Sequence, residues 1–286
     1  MAAAPLPPFV WKILCGRRLA GLRERTGMTQ KQVVAPYGWS QSKLATIESG
    51  TSLAEDAFPV LHKVYKPSDE EWAEILDFLA RGNETPRMEE FRNKFKGQEM
   101  RKVIDMENSA SVMRSHNSMT IPGLLQSEPY MRSLFEAYIP TNSPPEVERL
   151  VELRLQRQKV LDNLDQQFSF VIDQAAFSRM DNMTGVMRDQ LWHLLDVNER
   201  PNVELRIVPF SHGYYLGQAV NYSIFEYDVE PAVQVVYVES YDDVEVLPDA
   251  KKVSRYLTLW DAQAKAGLHP NEAPSVLSFL AGPRLS

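Results

Sequence analysis

Two short helical segments joined through a glycine constrain this chain more than any other feature: Thr29 to Gly50, TQKQVVAPYGWSQSKLATIESG. The Thr29 hydroxyl can accept an orphan N–H of the turn that follows, so Thr29 reads as an N-cap. Gln30 to Ala35 then reads as a short helix with Val33 and Val34 facing inward. Gly38 can stop it, because glycine takes the left-handed conformation without a Cβ penalty. Ser40 reads as the cap of a second helix, Gln41 to Ser49, closed by Gly50. Leu44 and Ile47 lie three apart and share one buried face. That leaves Gln41, Ser42, Lys43 and Thr46 outward. The spacing alone also fits an ordinary αα-hairpin. An outer face that begins with an amide, a hydroxyl and a lysine favours a helix-turn-helix shaped to enter a major groove.

The segment resembles the Cro and lambda-repressor type of helix-turn-helix, the XRE family. Thr29, Gln30, Val33, Gly38, Trp39, Ser40, Ser42, Leu44, Ile47, Glu48 and Gly50 fall on that family's pattern. Gly16 to Met28 resembles the family's first helix, and the likeness covers about residues 10–66. Two positions depart from it. Val34 stands where a small alanine is usual, and Pro36 removes a donor and should shorten the first of the two helices. The resemblance implies double-stranded operator DNA as partner. Gln41 and Ser42 would lie at base edges behind the Ser40 cap, with Lys43 and Thr46 beside them and Gln30 bracing Gln41. Arg17, Arg18, Lys31 and Lys43 lie on helices expected to flank the groove and meet phosphates.

The net charge of −7 is unusual for a nucleic-acid binder, but it is unevenly spread. Residues 1–66 hold nine Lys/Arg against four Asp/Glu, a balance of +5, and the remainder carries −12. A small basic unit beside a large acidic one fits a DNA reader whose second half avoids phosphates. The single cysteine, Cys15, excludes an intramolecular disulfide framework and suits a reducing cytoplasm. Its place in the first helix reads as core. No apolar run approaches the ~20 residues of a membrane span. The start, MAAAPLPPFVW, lacks the features of a signal peptide and reads as a flexible lead-in. The expected location is cytoplasmic, on the nucleoid when DNA is bound.

The 286 residues suggest two domains. Residues 1–82 read as an all-α helix-turn-helix bundle, 83–100 as a connector, and 101–286 as an acidic α+β effector and dimerisation domain. The expected fold class is therefore α+β overall, the second domain being a small mixed sheet flanked by helices. The first helix reads from Ile13 to Thr26, and a fourth from Ala54 to Tyr65 with a late start at Pro59. A fifth begins after Ser68, with Trp72, Ile75, Leu76 and Leu79 on one face. In the second domain Gly123–Tyr138, Pro144–Leu161, Val186–Val197, Pro248–Ala264 and Asn271–Leu280 read as helices. Gln167–Asp173, Val203–Val208, Ala219–Tyr227 and Ala232–Glu239 read as strands, the last two as a hairpin and the first two as a parallel pair.

The second half is similar to the C-terminal domain of WhiJ-like actinobacterial regulators, through IPGLLQSEPY (Ile121 to Tyr130), VELRLQRQ (Val151 to Gln158), FVIDQAAF (Phe170 to Phe177), PNVELRIVPF (Pro201 to Phe210) and VVYVES (Val235 to Ser240). That family usually has glutamate where this chain has Gln174. The likeness implies regulation, often beside a small acidic partner protein, and supplies no reaction. No zinc-protease, redox, hydrolase or phosphate-loop motif is present. The histidines stand singly, so no metal, cofactor or catalytic residue is expected. Asp173 and Glu239 end two expected strands and could converge on one sheet edge. Tyr214, Tyr215, Tyr222, Tyr237 and Tyr241 suit either a half-buried sheet face or an effector or partner surface. Arg149, Arg154 and Arg157 alternate with glutamates and read as a solvated mixed face.

The sequence thus reads as a sequence-specific transcriptional regulator, not an enzyme, whose second domain forms a homodimer and senses a small molecule or small partner protein. The alternatives are an antitoxin-like DNA binder that silences a neighbouring small protein, and a helix-turn-helix turned protein-interaction module.

Overall fold

A computed structural model describes residues 6–84, 98–138, 144–178, 184–239 and 244–283. Helix α1 (Pro8–Arg25) starts at Pro8 and not near Ile13. Pro8 sits in the first turn, where a fixed φ suits the helix and a missing N–H costs nothing. Phe9, Val10 and Trp11 are therefore helical and packed, which corrects the flexible lead-in from Pro8 onward, residues 1–5 lying outside the described residues. Phe9 meets the Tyr227 ring edge-on at 5.7 Å. Trp11 lies 5.6 Å from the Phe78 ring, with the Arg81 guanidinium 4.6 Å over its own face. These partners are distant in sequence, so no local pattern announces them.

Helices α2 (Gln30–Val34), α3 (Gln41–Glu48), α4 (Phe58–Tyr65) and α5 (Asp69–Asn83) complete the N-terminal bundle. Pro59 delays α4 as expected, and a 3-10 turn, Glu55–Ala57, precedes it. Ser68 and Glu71 cap α5 reciprocally. Trp72, Ile75, Phe78 and Leu79 of α5 pack inward, whereas Leu76 is 44% exposed. One step past Ile75 turns a helical side chain by about 100°, and Phe78 takes the inward place.

The second domain is a six-stranded sheet in the order β3-β2-β1-β4-β5-β6. Its strands are β1 (Val112–Asn117), β2 (Gln167–Asp173), β3 (Val203–Val208), β4 (Tyr222–Tyr227), β5 (Val233–Glu239) and β6 (Val244–Leu247). β2 is parallel to β1 and β3, while β4, β5 and β6 run antiparallel to their neighbours. The parallel pair and the hairpin match the sequence reading. β1 and β6 do not appear in it. β1 is polar, VMRSHN, yet it is central, with Ser115 and His116 buried.

Helices cover both faces, and one short turn, α9 (Ala175–Ser178), follows β2. On one side α6 (Gln98–Ser109), α10 (Thr184–Asn198) and α12 (Ala273–Ala281) pack on Met113, Phe168, Phe170, Ile172, Phe225 and Tyr227. α7 (Glu128–Tyr138) and α8 (Pro144–Gln158) lie outside them and pack on each other through Met131, Phe135, Val147 and Val151. On the other side α11 (Ala250–Ala266) lays Val253 and Trp260 over Val171, Tyr222, Ile224 and Val236. The helix expected over Gly123–Tyr138 is broken. A 3-10 turn, Gly123–Leu125, is followed by extended backbone at Gln126. There the Ser127 N–H donates to Gln190 Oε1 at 2.7 Å, and the buried Gln126 amide donates to the Ile121 carbonyl, also at 2.7 Å.

α1 belongs to both cores. Val10, Ile13 and Leu14 pack into the core on the helix-rich face of the sheet, and Cys15, Leu19 and Leu22 into the bundle. Leu14→Ala should cost about 2–5 kcal/mol, the range for a truncated core leucine. In urea the helix-turn-helix and the sheet should lose structure in one shared transition at a lower midpoint. Separate transitions would show that α1 does not join the two units.

Candidate nucleic-acid interface

Local chemistry sets the two helices of the motif. Thr29 Oγ1 accepts from Gln32 N at 3.3 Å, and Gln32 Oε1 accepts from Thr29 N at 2.8 Å, closing a capping box. Pro36 falls in a 3-10 turn, Ala35–Tyr37, so α2 ends at Val34, as its missing donor requires. Gly38 is left-handed at φ 63°. Ser40 Oγ then accepts from Lys43 N at 3.1 Å and opens α3. Where α1 crosses the end of α3 there is room only for glycine. A Cβ on Gly16 would lie 2.6 Å from the Ile47 and Glu48 carbonyl oxygens.

Gln41 and Ser42 are exposed at the N-terminal end of α3, and Lys31 is exposed on α2. Gln41 Nε2 donates to Gln30 Oε1 at 3.4 Å, and Gln30 Nε2 donates to Glu48 Oε2 at 2.8 Å. The brace expected between Gln30 and Gln41 is in place and is anchored one residue deeper. Lys43 Nζ is 2.9 Å from Asp56 and 4.5 Å from the Trp39 ring centre. Thr46 is half-buried and donates to the Lys43 carbonyl at 2.8 Å. Arg17 and Arg18 face away from this end of α3. Arg17 donates to the Ala232 carbonyl of the hairpin at 2.8 Å, and Arg18 pairs with Glu74 at 2.8 Å.

Sequence reasoning gave Glu48 no role beyond the family pattern, yet it organises the site. Its buried carboxylate accepts from Arg23 Nε at 2.7 Å, from Gln30 and from the Tyr65 hydroxyl at 3.4 Å, tying α1, α2 and α4 to the end of α3. The hydrogen bond that Arg23 donates to Glu48 raises the Arg23 pKa. Burial, then the Glu48 charge, raises that of Tyr65. Burial also pushes the Cys15 thiol up to about 12, so it serves as core and not as a nucleophile.

The tyrosines of the second domain do not form one site. Tyr222 is buried and donates to Gln263 at 2.6 Å. Tyr214 is 97% exposed. Tyr237 lies on the helix-rich face and Tyr215 packs on the other, and Tyr241 lies outside the described residues. Asp173 and Glu239 reach the same sheet edge on opposite faces, because side chains alternate along a strand. Asp173 accepts from Ala175 N and from the Tyr215 hydroxyl, both at 2.8 Å. Tyr215 also lies 3.1 Å from His116 Nε2, while Nδ1 sits 2.6 Å from the Val220 carbonyl. That carbonyl can only accept, so Nδ1 carries the proton. Arg149 keeps the expected mixed face, 3.7 Å from Glu146, whereas Arg154 and Arg157 depart from it. The Arg157 side chain is 16% exposed against Glu107, and Arg154 donates to Gln126 at 2.6 Å.

Residues 100–278 match the family described as a domain of unknown function (DUF5753). The chain belongs to the DUF5753 family. Residues 15–80 match a helix-turn-helix domain, which points to DNA binding. No curated protein and no solved structure matches. The helix-turn-helix match begins inside α1 and the DUF5753 match inside α6. The part of α1 that enters the DUF5753 core, Val10 to Leu14, therefore lies outside both matches. Among the described residues no group of three or more His, Cys, Asp or Glu could hold a metal ion. No helix among them is long and apolar enough to cross a membrane.

Two outcomes follow from these geometries. Glu48→Ala strands a nearly buried guanidinium, and breaking such a pair costs about 3–5 kcal/mol; circular dichroism on heating should show the loss. Burial lowers the His116 pKa, with Val220 and Asp173 opposing in part. The unfolded chain then takes up a proton below about pH 6.5 that folded His116 refuses, so stability falls as pH drops from there to the lowered folded value. His193 is shifted the same way by burial. His116→Gln should make the melting temperature less steep in acid without flattening it. An unchanged slope would mean that His116 does not titrate on folding.

Proposed function

We propose that this DUF5753 protein is a sequence-specific, DNA-binding transcriptional regulator of the XRE type, and that its WhiJ-like second domain dimerises and responds to an effector. One observation carries the reading of DNA. The Ser40-capped end of α3 presents Gln41 and Ser42 to solvent, with Gln41 held by Gln30 and, through it, by the buried Glu48. A pre-ordered amide at the N-terminal end of a recognition helix is the geometry that pairs with adenine in a major groove. Lys31 is the exposed cation beside it for a phosphate. Arg17, bound to the Ala232 carbonyl, enters this reading as a positioning residue of the domain contact and Arg18, paired with Glu74 of α5, as one of the bundle, neither as a phosphate ligand. Dimerisation is supported by a general argument: one such motif reads a short half-site, and proteins of this class gain affinity on paired half-sites. No catalytic step is part of the reading.

The test is selection from a randomised operator pool followed by gel shift. Gln41→Ala should lose about 1–3 kcal/mol of base discrimination at one position of each half-site and keep weak non-specific binding. Lys31→Ala should weaken all sequences alike and reduce the salt dependence by about one phosphate contact. Wild-type protein that selects no sequence would overturn the function. Full specificity in Gln41→Ala would overturn the docking.

A further inference from the structure

The strand order reverses at β1. Strands β1, β2 and β3 are laid down in one direction across the sheet, and β4, β5 and β6 in the other. There β1 meets β4 antiparallel, so the parallel and antiparallel halves of the sheet join at this pair. A cavity of about 90 Å³ lies at this place, on the helix-rich face. It exists because Ser115 and Ser223 stand opposite each other across β1 and β4. Phe168, Phe170 and Phe225 fill neighbouring positions on that face. Two serines side by side do not fill a layer of that thickness, and a polar gap of this size holds water that a ligand can displace.

The lining is polar and carries both signs of charge. Ser223 Oγ donates to Ser115 Oγ, and Ser115 Oγ donates to Asn117 Oδ1, each at 3.0 Å. Arg157 binds Glu107 through two hydrogen bonds of 2.5 and 2.6 Å, their side chains 16% and 2% exposed. An ion pair withdrawn from water adds little net stability, and apolar side chains of equal volume would pack as well. Glu239 is exposed at the rim beside Tyr237. The cavity therefore has a guanidinium inside, a carboxylate at its mouth, and hydroxyls and an amide between.

We propose that this cavity binds a small zwitterion of the α-amino-acid kind, its carboxylate toward Arg157 and the serine pair and its ammonium toward Glu239. A plain anion would face Glu107 and Glu239, and a plain cation would face Arg157. A ligand with both charges a few bonds apart meets each with its opposite. The volume is far below the ~300 Å³ at which sites for drug-sized ligands begin, so it admits only a few heavy atoms. The site goes beyond the reading of DNA and does not depend on it.

Thermal melting and calorimetric titration of the full chain test this, with glycine and L-serine as probes and acetate and methylamine as their single-charge halves. Glycine and L-serine should raise the melting temperature in a saturable way, and the halves should not. Glu239→Gln removes the carboxylate that would face the ammonium and should weaken glycine about tenfold, each rise being read against the variant's own ligand-free melting temperature. Ser223→Val fills the gap and should weaken it at least as much. Gly123→Ala brings a methyl 3.7 Å from the Arg154 and Arg157 guanidinium nitrogens, an ordinary contact, and supplies a second occluding variant if Ser223→Val fails to fold. The proposal is overturned if neither amino acid gives a saturable rise, if acetate alone gives the same rise, or if Glu239→Gln binds glycine unchanged. Because the readout involves no DNA, failure of operator binding would leave it standing.

Discussion

Leu14 and Cys15 are neighbours in sequence and belong to different hydrophobic cores. That division of α1 is the constraint on which the arrangement of the whole molecule rests. A helix is stiff over its 18 residues, so a face buried in the sheet domain and a face buried in the bundle fix the two units at one mutual angle. The contact from Arg17 to the hairpin carbonyl of Ala232 and the packing of Phe9 on Tyr227 lie on the same side and reinforce it. The usual expectation for two domains is a soluble linker and free relative motion. A shared helix replaces that freedom with a common core.

The second organising interaction is the Glu48 carboxylate. Hydrophobic burial places α3 in the bundle, but it does not determine how the exposed amides of α3 point. A buried charge with three donors from three helices does, because each donor would be costly to leave unpaired. Gln30 carries that order outward to Gln41. The polar surface that meets solvent is thus held from beneath.

Much of this was legible in the sequence where local chemistry decides the outcome. Thr29, Gly38, Ser40 and Ser68 act as caps and turns as their residue types dictate, and β2 and β3 fall where alternation put them. The rest depended on partners far along the chain. β1 is a central strand with a polar sequence, since Ser115 faces Ser223, and His116 finds Val220 and Tyr215. Arg154 and Arg157 look solvated on a helical wheel and are drawn inward by Gln126 and Glu107. The tyrosines read as one group because they are close in sequence, but the loop before β4 lays Tyr215 on one face of the sheet while β5 turns Tyr237 to the other.

The first helix is closed by a hairpin far along the chain: Phe9 of α1 packs on Tyr227 of β4, and Arg17 donates to the Ala232 carbonyl. During synthesis the bundle can form early, since its contacts are near in sequence. Its first helix then presents an uncovered apolar stripe until the β4–β5 hairpin leaves the ribosome. A nascent chain in that state is open to aggregation or to capture by a chaperone. A chain cut before this hairpin would therefore leave α1 uncovered beneath the helix-turn-helix.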